Sequence, residues 1–144
     1  MRIVLDSTIL VRANDAETGL GRQLLLTLLR QKHTLLVSND MLFEVARVLR
    51  YPRFQIERGL TEDRIYQYVA YLREVAEVVT LDPDIPIPIR DANDIMIAQT
   101  AVLGEADFLC TLDEDFYDPV TVAYLQRFGI TVIGDIDLIH RLRT

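Results

Sequence analysis

Two aspartates three residues apart, Asp91 and Asp94, open the stretch RDANDIMIAQTAVLG (Arg90 to Gly104), which then becomes almost wholly apolar. The spacing has two readings. Asp is a favoured N-cap, and an acid three positions on resembles a capping box at the positive end of a helix dipole. Alternatively, one carboxylate is there for chemistry. Other acids favour the second reading for Asp94: Asp6 directly follows an apolar run, Asp113 and Asp115 follow another, and Glu44 borders an apolar helical stripe. Converging carboxylates cannot easily all ionise, because each raises the pKa of the others. One or two hard cations such as Mg²⁺ or Mn²⁺, which prefer oxygen ligands, would relieve that repulsion.

Whether these acids meet depends on the elements that carry them. Residues 2–5 (RIVL), 34–38 (TLLVS), 77–81, 107–112 and 130–134 are short apolar runs that predict five strands. Between and after them, helical periodicity marks residues 17–32, 41–51, a helix opening at Thr61, the helix after Asp91, residues 120–128 and the final DIDLIHRLR. Ser38, Asn39 and Asp40 are candidate caps for the second of these, and Pro52 marks its end. The proline-rich DPDIPIPIR reads as an extended connection rather than a central strand. Near-continuous apolar strands alternating with helices predict one domain over residues 1–144, a three-layer α/β/α fold around a central, mainly parallel five-stranded sheet. In such sheets ligands bind outside the carboxyl ends of the strands. Asp6, Ser38 and Asp113 all fall there, and Asp94 lies on the apolar side of its helix near Ala98 and Ala101.

A formal charge of −7 argues against general affinity for nucleic acid. The distribution is more informative. Residues 82–118 hold ten acids and one base, whereas residues 12–73 hold ten bases, nine of them arginine. No apolar run reaches the ~20 residues needed to span a bilayer, the first residues read as a strand rather than a signal peptide, and the one cysteine, Cys110, suits a reducing cytoplasm.

Taken together, VLDS (residues 4–7), Ser38-Asn39 with Glu44-Val45, Asp91 and Asp94 with Ala98 and Ala101, and ADFLCTLDED (residues 106–115) resemble a PIN domain, in the order found in VapC-type toxin ribonucleases of toxin–antitoxin pairs. The resemblance spans nearly the whole chain. It implies an acidic quartet of Asp6, Glu44, Asp94 and Asp113, with Asp115 as a further acid near the metals and Ser7 and Thr111 as small hydroxyl neighbours; Ser38 and Asp91 would sit in the surrounding shell. Thr8 and Leu112 depart from the usual residues beside the first and last acids, which are commonly Asn and Gly or Asn.

The implied activity is endoribonucleolytic hydrolysis by metal-activated water, leaving a 5′-phosphate and a 3′-hydroxyl. Asp6, Asp94 and Asp113 would hold one or two Mg²⁺ or Mn²⁺ ions. Glu44 would bind directly or through water and orient the attacking water. The resemblance also implies a small antitoxin partner and a homodimer. Arg47 and Arg50, whose phase points away from the apolar stripe, are candidate contacts for the RNA backbone together with Arg53 and Arg58. Two other readings are weighed: a catalytically silent PIN-like interaction module, and a Mg²⁺-binding receiver-like signalling domain. The second lacks paired acids after the first strand and has only Lys32 as a lysine. Isolated His33 and His140 and the absence of a glycine-rich phosphate loop disfavour zinc, histidine-centred and nucleotide chemistry.

Overall fold

The computed structural model describes residues 1–144. Five strands, β1 (Arg2–Leu5), β2 (Thr34–Ser38), β3 (Glu77–Val79), β4 (Phe108–Cys110) and β5 (Thr131–Ile133), form one sheet in the order β3-β2-β1-β4-β5. Every pairing is parallel, so the expected mainly parallel sheet is wholly so. The chain builds outward from β1 to β3, then crosses to the other side of β1 for β4. That reversal lies between β1 and β4, at their carboxyl ends, where an open α/β sheet forms its crevice.

Eight helices complete three layers: α1 (Ser7–Val11), α2 (Leu20–Arg30), α3 (Asn39–Leu49), α4 (Pro52–Glu57), α5 (Glu62–Val75), α6 (Ala92–Leu103), α7 (Pro119–Gln126) and α8 (Asp135–Arg143). Helices α1, α2, α3, α5 and α8 pack on one another, while α6 lies across β1, β2 and β4. The core is fullest at the central strand, where Ile3, Val4 and Leu5 are completely buried.

Three elements differ from the sequence expectation. Pro52 does follow the end of α3, but it also starts α4, because proline suits the first turn of a helix where its missing N–H has no partner to lose. The five-residue α1 and the 3₁₀ turn Glu114–Tyr117 were not expected; both are too short for a periodic pattern. Several predicted elements are trimmed by one to three residues at their ends, as at α2 and β4, while α3 starts two residues earlier, at Asn39.

The polar and apolar faces of α6 are not cleanly separated. Ile97, Ala98, Gln99, Thr100 and Ala101 are all buried, as expected for a helix covered on several sides. The preceding proline segment is held by side-chain donors to its carbonyls: Gln99 to Ile85 O, Tyr124 to Pro86 O and Thr121 to Pro88 O, at 2.7–2.9 Å. It therefore delivers Asp91 and Asp94 to a fixed place above the sheet.

Gly104 ends α6 where it passes the sheet. A methyl group there would lie 2.8 Å from Thr100 O and 3.0 Å from Leu36 Cδ1 and Val79 Cγ2. Gly104→Ala should therefore lower unfolding stability by about 1–3 kcal/mol through overpacking, measurable by urea denaturation followed by circular dichroism.

Candidate metal centre

Parallel register sets the first contacts. Leu5 pairs with Cys110, and Asp6 N donates to Cys110 O at 3.0 Å, so Asp6 and Thr111 leave their strands side by side. Asp6 is only 7% exposed. It caps α1 by accepting from Ile9 N at 3.0 Å, and its other oxygen accepts from the Thr111 hydroxyl. Burial pushes its pKa up, the hydrogen bonds from Thr111 and from the Ile9 and Thr8 backbone pull it down, and the nearby Asp113 charge raises it further.

Thr111 also accepts from Asp113 N at 3.0 Å, so one hydroxyl ties the Asp6 carboxylate to the backbone of Asp113. Asp113 in turn caps the 3₁₀ turn through Asp115 N at 2.9 Å. This orients the Asp115 side of the turn toward the start of α6.

At that helix Asp91 takes the cap role, accepting from Asn93 N at 2.9 Å. Asp94 makes no capping-box bond back to Asp91. Its carboxyl lies within hydrogen-bonding reach of Asp113, and its pKa is pushed up to about 7 by burial first, then by Asp113, Asp91 and Asp115. Its Oδ2 atom is buried without a hydrogen-bond partner. Oxygens of Asp91, Asp94 and Asp115 lie within 4.8 Å of one another.

Glu44 stands apart from this group. It faces a small cavity of about 80 Å³ with Ser7, Thr8, Arg12 and Arg53. Arg47 grips it with two donors, Nη2 to Oε1 at 2.7 Å and Nε to Oε2 at 3.1 Å, and donates to the Tyr51 hydroxyl at 2.6 Å. Arg50 pairs with Glu62 at 3.0 Å. Arg47 is therefore not turned away from Glu44, as the helical phase suggested, whereas Arg50 does point elsewhere, to Glu62. Residues three apart on a helix are neighbours, and each arginine has an acidic partner in reach. Arg53 is exposed and stacks over Phe54, 4.7 Å from the ring centroid; Phe54 itself is buried in the core.

Ser38 accepts from Met41 N at 3.3 Å, which settles the cap of α3, and its hydroxyl lies 3.0 Å from that of Thr100. That contact fixes the helix carrying Glu44 to the helix carrying Asp94.

The largest cavity, about 520 Å³, opens beside Asp6 and Asp113 and is bounded also by Thr8, Arg12, Glu17 and Asp135. Asp135 was missed from the sequence although it begins α8 just after β5. The strand-end rule that picked out Asp6 and Asp113 would have found it. Arg12 and Glu17 carried no local signal, since they lie in a loop that only the fold brings to the strand ends.

Hard divalent cations suit this donor set. The acids offer oxygen ligands only, Asp94 has an unsatisfied buried oxygen, and no Lys, Arg or His pairs with Asp6, Asp94 or Asp113. Arg90 reaches only Asp115, at 3.9 Å, from a side chain that is 91% exposed.

Comparison with known proteins agrees with this architecture. One chain of the crystal structure of VapBC2 from Rickettsia felis, bound to a DNA fragment from their promoter, superposes with a TM-score of 0.59. It is 16% identical, and the match covers 93% of this chain and 98% of that one. No curated protein matches the sequence. The family model described as the PIN domain matches residues 2–115, from the first strand through the Asp113–Asp115 turn. The chain belongs to the PIN domain family.

Proposed function

We propose that the protein is a Mg²⁺- or Mn²⁺-dependent endoribonuclease that hydrolyses RNA phosphodiester bonds with activated water, and that it is the toxin of a toxin–antitoxin pair. The observation that carries this reading is the run of acids beyond β1 and β4: Asp113 neighbours both Asp6 and Asp94, oxygens of Asp91, Asp94 and Asp115 converge within 4.8 Å, and the buried Asp94 Oδ2 has no partner. The likeness in fold to a chain of VapBC2 supports the toxin assignment, and with it a small antitoxin as binding partner and a homodimer.

In this reading Asp6, Asp94 and Asp113 hold one or two ions, with Asp115 beside them and Asp91 fixing the start of α6. A bound ion supplies charge stabilisation to the phosphoryl oxygens and acidifies water near neutral pH. Thr111 donates to the Asp6 carboxylate, opposing the upward push that burial gives its pKa, and holds Asp113 alongside. Ser38, through Thr100, keeps α3 in register with α6, which fixes the helix that carries Glu44 relative to the one that carries Asp94. Glu44 orients water once it leaves Arg47, and Ser7 lines the same cavity. No side-chain nucleophile is required.

The Arg47–Glu44 clamp favours a second reading, a PIN-like module that binds without cutting, because it occupies an acid needed for turnover. Cleavage of structured and unstructured RNA with Mg²⁺, Mn²⁺ or EDTA separates the two. The nuclease reading expects cleavage only with metal, falling by about 10²-fold or more in Asp6→Asn and in Asp94→Asn. Activity in EDTA, or activity surviving both substitutions, would overturn it. Metal binding without cleavage would favour the silent module.

The Asp94 carboxyl also predicts a pH signature. Its folded pKa, about 7, is raised above its ordinary value of 3.8, so protonation favours the native state. Metal-free wild type should lose stability relative to Asp94→Asn as pH rises from about 4 through 7. Mn²⁺ should reverse this loss in the wild type alone, by about 2.7 kcal/mol at a hundredfold excess over Kd. Thermal melts across pH, with and without Mn²⁺, read both effects.

Thr111→Val removes the hydroxyl that Asp6 and Asp113 share. Titration calorimetry should show Mn²⁺ affinity about 10–100-fold weaker, with the Asp6 pKa moving further up.

A further inference from the structure

The three cavities around the acids are joined through one residue. Arg12 lines the large cavity with Asp6 and Asp113, the small one with Glu44, and a third of about 350 Å³ with Arg53, Phe54 and Arg58. Thr8 links the first two, and Arg53 links the second and third. They make a continuous trough running from the strand-end carboxylates to the exposed face of α4.

Its charge changes along the way. The strand-end cavity holds four acids, Asp6, Glu17, Asp113 and Asp135, with Arg12 alone, whereas the outer one sets three arginines, Arg12, Arg53 and Arg58, against two acids, Glu17 and Glu57. Arg58 is already paired with Glu17 at 3.0 Å, as Arg47 and Arg50 are with Glu44 and Glu62. Arg12 and Arg53 make no ion pair.

The contacts that position these two residues use the Arg12 backbone and the face of the Arg53 guanidinium, not their side-chain N–H donors. The Arg12 backbone closes α1, with its N–H reaching Thr8 O and Leu10 O. Gly21 packs against it so closely that a methyl group there would lie 3.3 Å from Arg12 Cβ and Arg12 O. The Arg53 guanidinium sits over Phe54, 4.7 Å from the centre of a ring buried in the core. A stacked guanidinium keeps its in-plane N–H edges available, the geometry that suits a phosphate oxygen pair.

We propose that Arg12 and Arg53 form a subsite for a backbone phosphodiester of a single-stranded nucleic acid next to the one held at the acidic centre. The subsite rests on the nuclease reading for where the strand is cut, but not for whether it binds. It joins to Arg53 a residue the sequence did not single out, Arg12, whereas Arg47 is engaged by Glu44 and Tyr51 and Arg50 by Glu62.

The test uses fluorescence anisotropy with a short single-stranded RNA and a DNA of the same sequence, both in Ca²⁺, across a salt series. Arg12→Gln/Arg53→Gln is compared with Arg30→Gln/Arg127→Gln, which removes the same charge from exposed arginines that line none of these cavities. The first pair should bind about 10-fold or more weakly, with a log–log salt slope shallower by about 1.4 for two lost phosphate contacts. In Mn²⁺ its KM for RNA should rise similarly while kcat changes less than about twofold, since these residues bind rather than react. The control pair should keep the wild-type slope, and all variants should melt with the wild type. If only the RNA responds, the subsite reads ribose as well as phosphate; equal responses leave it a phosphodiester site. Unchanged affinity and slope in the first pair, or an equal loss in the control, overturn the subsite while leaving metal-dependent cleavage intact. Arginine-dependent binding without any cleavage overturns the nuclease reading and keeps the subsite. A wild type that binds neither strand overturns both.

Discussion

Asp6 is almost fully buried, Asp113 is one shared hydroxyl away, and Asp94 lies within hydrogen-bonding reach of Asp113. Three like-charged groups are thus crowded where water is scarce. The rest of the architecture either creates this crowding or makes it tolerable. Parallel pairing of β1 with β4 forces Asp6 and Thr111 together, and the rigid proline segment brings α6 over them. Backbone N–H groups and the Thr111 hydroxyl offset part of the cost for Asp6. Nothing comparable serves Asp94, which answers by holding its proton toward neutrality. An unrelieved oxygen in a native structure calls for an explanation, and a divalent cation is the one that treats all the acids alike.

The helices contribute position more than charge. Asp6, Asp91 and Asp113 each cap a helix or turn with one oxygen, which fixes the carboxyl and leaves the other oxygen for different work. Caps are ordinarily stability devices. Here the same hydrogen bonds orient the acids, so cap and ligand are complementary uses of a two-oxygen group. Asp94 alone among the central acids has no cap role, and it is also the one with the strained charge.

Much of this was legible from the residues because it follows from period and strand ends. Apolar runs ending in Asp6 and Asp113 gave both the parallel sheet and its crevice, and the phase of Asp94 relative to Ala98 and Ala101 put it inward. What escaped notice had physical reasons. Helix α1 has five residues, too few for a period to declare itself. Pro52 ends one helix and begins the next, and sequence alone favours the first meaning. Arg47 was assigned a direction from the apolar stripe, yet on a helix it lies only about 60° round from Glu44, close enough for a two-donor grip. Arg12 depends on a loop folding back against α2 through Gly21, which no local pattern encodes.

The separation of charge along the chain then has a structural sense. The first half supplies nine of the fourteen arginines and the second half most of the acids, but the fold does not use the one to neutralise the other at the centre. Arg2, Arg47, Arg50, Arg58 and Arg64 are each engaged by an acid outside the Asp6–Asp94–Asp113 group. An arginine placed against Asp94 would satisfy its buried oxygen and lower its pKa, and would leave a cation little to gain by binding. Keeping bases at the rim preserves the repulsion that favours a metal, while two unpaired arginines remain where a phosphate chain leaving the centre would pass. Strong attraction for a cation and attraction for a polyanion need opposite potentials, and under the proposed function the fold would provide both by setting them side by side rather than on the same atoms.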